Sequence, residues 1–138
     1  MKVVAFNILA VVVGLALGSA LNMTLITIGP QLIAPPEGAD VSTMEGLGAT
    51  MHLFAPKHFV FPFLAHALGT LAGAYAAYLI AASRKQSMSL LVGGFFFVGG
   101  VSSVFMLPSP IWFNATDLLL AYIPMAWLGI KLGEATAA

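Results

Sequence analysis

VVAFNILAVVVGLALGSALNMTLITIGPQLI, residues 3–33, contains no aspartate, glutamate, lysine or arginine. About 20 apolar residues are enough for a helix to cross the hydrocarbon core of a bilayer. The run is also far longer than the 7–15 residues of a secretory leader's apolar region. Three further runs follow, at about Phe59–Ala82, Met88–Leu107 and Ile111–Leu132. The expected fold is therefore all-α: one domain over residues 1–138, a polytopic membrane protein with four transmembrane helices (spans 3–33, 59–82, 88–107 and 111–132) and a short outer amphipathic helix at about 43–54. Segments of this length exclude a transmembrane barrel, whose strands are shorter and alternate in polarity.

Composition agrees. Of 138 residues, 60% are hydrophobic and 7% charged, and mean hydropathy is +1.01. A soluble domain carries roughly a quarter charged residues. The formal charge is +0 with no basic stripe, which excludes nucleic acid as a partner. With no cysteine there is no disulfide, thiolate ligand or cysteine nucleophile.

Four crossings put Lys2, Arg84, Lys85 and Lys131 on one side and leave Lys57 on the other. Excess Lys and Arg in short loops marks the cytoplasmic side, so both termini and the Ser83–Ser87 turn are expected there. The 34–58 connection and the Pro108–Pro110 turn then face outward. Trp112 and Trp127, near the two ends of the last span, suit the aromatic belts.

In the outer connection, Pro35-Pro36 is expected to stop the first helix. Ser42-x-x-Glu45 reads as a capping box. Met44, Leu47, Met51 and Phe54 follow at helical spacing, with Glu45 and His52 off that stripe. This describes a short helix that lies on the membrane surface or caps the bundle.

Small residues mark helix contacts in lipid, because hydrophobic drive between helices is weak there. Ala10, Gly14, Gly18 and Asn22 lie four apart on the first span, and Ala65, Gly69, Gly73, Ala77 and Ala81 lie four apart on the second, including Gly69-x-x-x-Gly73. These two antiparallel helices are expected to touch along the stripes. Gly93-Gly94 and Gly99-Gly100 on the third span fix no face. No internal repeat marks an inverted-repeat transporter.

Asp117 is the carboxylate within a span, and His66 the imidazole. If Ser109 caps the last helix and Pro110 opens it, Asp117 lies roughly 10 Å and His66 roughly 12 Å from the outer side, at 1.5 Å per residue. Thr70 shares a face with His66; Asn114, Ala121 and Pro124 share one with Asp117. Asn22, Thr24, Thr27, Ser102 and Ser103 also fall in the outer half, and Asn7 is the polar exception in the inner half. An intramembrane carboxylate is costly and is usually paired or functional. The expectation is a polar pocket of His66, Asp117, Asn22, Thr70, Ser103 and Asn114, open outward; a buried network that only fixes helix register is the plainer alternative. Pro124 is expected to kink the last helix.

His52, His58 and His66 with Asp117 and Glu45 are zinc-ligand types, but spacings of six and eight match no zinc motif. Ser102 or Ser103 with His66 and Asp117 names a nucleophilic triad without a Gly-x-Ser-x-Gly elbow. Neither a cofactor nor an enzymatic activity is expected.

Four stretches, Pro35-Pro36-Glu37-Gly38, Met51-His52-Leu53-Phe54-x-Pro56-Lys57-His58-Phe59, Pro62-Phe63-Leu64-Ala65-His66-Ala67-Leu68-Gly69-Thr70 and Met106-Leu107-Pro108-Ser109-Pro110-Ile111-Trp112-Phe113, resemble a group of small four-helix bacterial membrane proteins without an assigned activity. The likeness spans nearly the whole chain and implies a bacterial cytoplasmic membrane, with no implication for chemistry. Small multidrug transporters have similar size, but the first span here lacks their embedded glutamate. Fluoride channels have similar size too, but none of their motifs is present.

Three functions compete: an accessory or small-ligand-binding membrane protein with an outward pocket; a small oligomeric transporter or channel for an ion or solute; and an intramembrane metal protein or enzyme. Expected partners are the lipid bilayer and either further copies of the chain or a larger membrane complex. Four helices enclose no wide aqueous path, so a transporter would need to dimerise.

Overall fold

The structure is a computed structural model that describes residues 1–138. It contains helices and no strand: α1 (Lys2–Leu32), α2 (Met44–Thr50), α3 (Val60–Ile80), α4 (Lys85–Met106), α5 (Ile111–Leu120) and α6 (Ile123–Ala137). Four segments are long and apolar enough to cross a membrane: Lys2–Leu32, Pro56–Ile80, Lys85–Met106 and Ile111–Ala137. They run up and down, so the 34–58 connection and the 107–110 turn share one end, the loop end, and both termini share the other.

α1 is about 46 Å long at 1.5 Å per residue. It accommodates Pro30 in its last turn and ends at Ile33, in extended conformation, ahead of Pro35-Pro36. α1, α4 and α6 all pack against α3. The small-residue stripes of α1 and α3 meet. A Cβ on Gly14 would stand 2.6 Å from the Gly73 carbonyl oxygen, and one on Gly18 2.6 Å from that of Gly69. Only hydrogen fits there. These four glycines are occupied by the α1–α3 contact within the chain.

The interior is correspondingly small. Ala10, Ala65, Ala74, Ala77 and Ala126 are fully buried, and the largest fully buried side chains are Val92, Thr70 and Ser89. Large apolar residues lie outside, among them Leu17, Met23, Phe95, Val98, Phe105, Leu119 and Trp127.

Several local expectations are corrected. The outer helix is shorter than 43–54: α2 ends at Thr50 and gives way to a tight turn over Met51–Leu53. Its cap is Thr43, whose Oγ1 accepts from the Gly46 N–H at 2.9 Å. Ser42 is unavailable, because its N–H and hydroxyl both donate to Asp40 Oδ1. Met44 is exposed rather than part of the buried stripe; Met51, with Leu47 and Phe54 beside it, packs on Phe59 and Phe113 and closes the loop end. Pro110, not Ser109, occupies the cap position of α5, and the Ser109 hydroxyl points to Met51 Sδ at 3.5 Å. The second and third apolar segments meet in a tighter turn than Ser83–Ser87, since α4 begins at Lys85 after Arg84 adopts a left-handed φ of 48°.

The last segment is two helices rather than one kinked span over 111–132. Pro124 supplies no N–H for the Leu120 carbonyl, which interrupts the ladder. Tyr122 absorbs the break at φ −115°, ψ −80°, and α6 then runs on to Ala137.

Candidate functional site

α3 and α5 present His66 and Asp117 to each other. His66 Nδ1 and Asp117 Oδ1 are 2.8 Å apart, joining residues 51 positions apart in the chain. The other carboxylate oxygen, Oδ2, accepts the Tyr122 hydroxyl at 2.8 Å. The Asp117 side chain is 7% exposed and that of His66 24%. A buried carboxylate needs such donors, since an unpaired buried charge is heavily penalised. Here each oxygen has one.

The donors fix the imidazole. With the carboxylate ionised, Nδ1 carries the hydrogen, and in the neutral ring Nε2 holds a lone pair. The ring stacks on Tyr122, with centroids 5.8 Å apart and planes at 27°. Tyr122 in turn meets Phe97 edge-on at 6.1 Å. Its hydroxyl lies where a Cβ on Gly100 would be, 2.5 Å away, so only glycine at position 100 admits the ring.

His66 forms part of the wall of a cleft of about 210 Å³. α1 contributes Asn22, α3 adds Gly69 and Thr70, α4 supplies Phe96, Gly99, Gly100 and Ser103, and Tyr122 completes the wall. The cleft exists because α1 and α4 touch through Gly14 and Val92, and through Gly18 and Phe96, while beyond that level α4 lines it with the small residues Gly99, Gly100 and Ser103. A Cβ on Gly99 would meet nothing within 4 Å. Asn22, His66, Thr70 and Ser103 therefore share one space, with Asp117 behind His66 rather than in the wall.

Other candidates lie elsewhere. Asn114 donates to the Ser109 carbonyl at 3.3 Å and ties down the 107–110 turn, outside the cleft. Thr24, Thr27 and Ser102 are exposed and bond carbonyls of their own helices. Asn7 binds the end of α3, accepting from the N–H groups of Ala82 and Ser83 and donating to Ser83 Oγ. His52 is exposed, and His58 Nδ1 accepts from the Ala55 N–H, so the three histidines do not converge. No three His, Asp or Glu side chains are grouped to hold a metal ion. Ser103 Oγ donates to the Gly99 carbonyl at 3.1 Å rather than to His66, so no nucleophilic triad forms.

Tyr122 is the site residue that sequence reasoning missed. It lies five positions after Asp117, off its face in a regular helix, and reaches the carboxylate only through the break before Pro124. A second cavity, about 160 Å³, lies at the loop end between α1 and the 34–58 connection; it is mainly apolar, with Lys57 and His58 in its wall.

The chain matches no protein-family model, no curated protein and no solved structure. The chemistry of the cleft rests on its own geometry.

Proposed function

We propose that this chain is a non-enzymatic multi-pass protein of the bacterial cytoplasmic membrane that takes a small polar ligand from the outer side into the His66 cleft. Support for a lipid environment comes from the inverted packing, with Gly, Ala and Ser inside and large apolar side chains outside, as expected where hydrocarbon surrounds a bundle. Lys2, Arg84, Lys85 and Lys131 gather at the termini end, which supports cytoplasmic termini and an outward loop end.

The ligand reading is carried by one observation. Asp117 and Tyr122 lock one face of His66 and leave Nε2 without a protein partner, in the wall of a cleft that also holds Asn22 and Ser103. A network serving only helix register makes no use of an open nitrogen in such a cleft.

Because the chain has no cysteine, a single thiol reports on this cleft directly. Ser103→Cys in cells is expected to react with a membrane-impermeant maleimide added outside, while Ser87→Cys reacts only after the membrane is opened. An inert Ser103→Cys, or one labelled only from the cytoplasmic side, would overturn the reading.

The break at Ala121–Tyr122 favours a second reading, a small oligomeric transporter, since interrupted helices beside a site are a transporter device. Uptake into proteoliposomes, lost in Asp117→Asn, would favour it over simple binding.

A further inference from the structure

We infer that the ligand of the His66 cleft is a small ammonium cation carrying N–H donors. This rests on the cleft being a ligand site and adds what the ligand must be.

The argument is an inventory of hydrogens. Thr70 Oγ1 donates to the His66 carbonyl at 2.7 Å, Ser103 Oγ to the Gly99 carbonyl at 3.1 Å, and Tyr122 to Asp117 at 2.8 Å. The Nδ1 hydrogen of His66 is held by Asp117. Every hydroxyl hydrogen of the wall is thus committed within the protein, and lone pairs remain: Nε2 of His66, Oγ of Ser103 and Oδ1 of Asn22. The Asn22 amide group is the one donor left. A ligand that brings donors fits such a wall; an anion meets almost none.

Charge points the same way. With His66 neutral, the Tyr122–Asp117–His66 set carries one negative charge, and no lysine or arginine lines the cleft. Uncompensated charge in a low-dielectric interior is strongly unfavourable, so a cation at Nε2 is favoured beyond its hydrogen bonds. Phe96 adds aromatic surface to the wall, of the kind that attracts cations. The metal alternative lacks ligands, because His66 is the single imidazole here. An N–H cation asks only for acceptors.

The proton is its competitor. An imidazolium at His66 neutralises the set and turns Nε2 into a donor, so proton and ammonium exclude each other. The ionisable groups facing His66 are Asp117 from α5 and Tyr122 from the α5–α6 junction; α1 and α4 offer none in the cleft.

The test is titration of the full chain in micelles at pH about 8 with methylammonium, tetramethylammonium and acetamide, followed by the ¹⁵N signals of the His66 ring and by thermal protection. Methylammonium is expected to move the His66 signals saturably and raise the unfolding temperature. Tetramethylammonium, which has charge without donors, and acetamide, which has donors without charge, should do neither. Asp117→Asn should weaken methylammonium at least about tenfold, which is about 1.4 kcal/mol. Ser103→Ala, which keeps the charge set and the fold, should weaken it by a smaller factor. Saturable binding of acetamide without methylammonium would sink the cation inference and leave the cleft a ligand site. Silence of the wild-type His66 signals to every probe would overturn both.

Discussion

The Tyr122 hydroxyl reaches Asp117 across five residues of chain, 2.8 Å from Oδ2, a contact that an unbroken helix does not make. In a regular helix residues three and four apart share a face, whereas five apart are turned well away. Pro124 ends the ladder, Tyr122 leaves helical geometry, and its ring swings back over the carboxylate. The proline that splits the last segment thereby assembles the charged set, linking a backbone defect to the site.

Tyr122→Phe isolates that bond. The ring keeps its stacking on His66 and its place against Gly100, while Oδ2 of Asp117 loses its donor. Hydrogen bonds to charged groups are worth about 1.5–3 kcal/mol in soluble proteins, and side-chain bonds in membrane bundles average about 0.6. A destabilisation of about 1–2 kcal/mol is expected, read by reversible unfolding in mixed micelles. An unchanged stability would mean that Asp117 does not rely on this donor.

Adjacent glycines on α4 should respond with opposite signs. A Cβ on Gly93 would lie 2.6 Å from the Ala126 Cβ, which is rigid and cannot move aside, whereas a Cβ on Gly94 meets nothing within 4 Å. Gly93→Ala should lose about 1–3 kcal/mol by forcing α4 and α6 apart. Gly94→Ala should gain about 1 kcal/mol from helix propensity alone. Thermal unfolding of the two variants side by side checks this, and like signs would show that α4 and α6 do not pack as described.

Legibility in the sequence divided along physical lines. Four apolar segments were readable because hydropathy over twenty residues is a sum that single positions cannot overturn. The meeting of Gly14 with Gly73 and of Gly18 with Gly69 was readable because spacing of four is a property of any helix. The levels of His66 and Asp117 followed from counting residues from the helix starts, and the two side chains do meet. What failed depended on single hydrogens. Ser42 and Thr43 are equally good caps by type, and the choice fell to Thr43 because Asp40 holds Ser42. Asn114 shares a face with Asp117, yet the Ser109 carbonyl at the open end of α5 claims its amide. Tyr122 needed the break itself, and Pro124 signals that a helix is interrupted without saying which way the next residue turns.

Asp40 organises the start of α2, and its two hydrogen bonds from Ser42 hold its carboxyl below the ordinary value of 3.8. A carboxylate with a depressed folded-state pKa contributes stability above its unfolded value, and that contribution is lost as pH falls through the folded one. The Asp40–Thr50 segment should therefore stay ordered through neutral pH and loosen below about pH 4. Backbone chemical shifts of Thr43–Thr50 followed down the pH scale report this, and Asp40→Asn should abolish the step. A step that survives Asp40→Asn would show that the Asp40 carboxylate does not hold this segment.

At the opposite end, Asn7 satisfies the turn that follows α3. Its Oδ1 accepts from the N–H groups of Ala82 and Ser83, each at 3.1 Å, and its Nδ2 donates to Ser83 Oγ at 2.9 Å. One side chain from α1 thus fixes the tight turn that Arg84 completes in left-handed geometry. Asn7→Leu, which fills similar space without polar atoms, should cost about 1–3 kcal/mol by leaving those N–H groups without partners. Asn7→Asp retains the acceptor and should cost less. Because the α1–α3 glycine contacts lie about two and three turns further along α1, the loss should be confined to the turn. Exchange of the Ala82 and Ser83 amides should rise in Asn7→Leu while amides near Gly73 stay protected. Equal exposure along the whole of α3 would show that Asn7 holds the helix pair together rather than the turn alone.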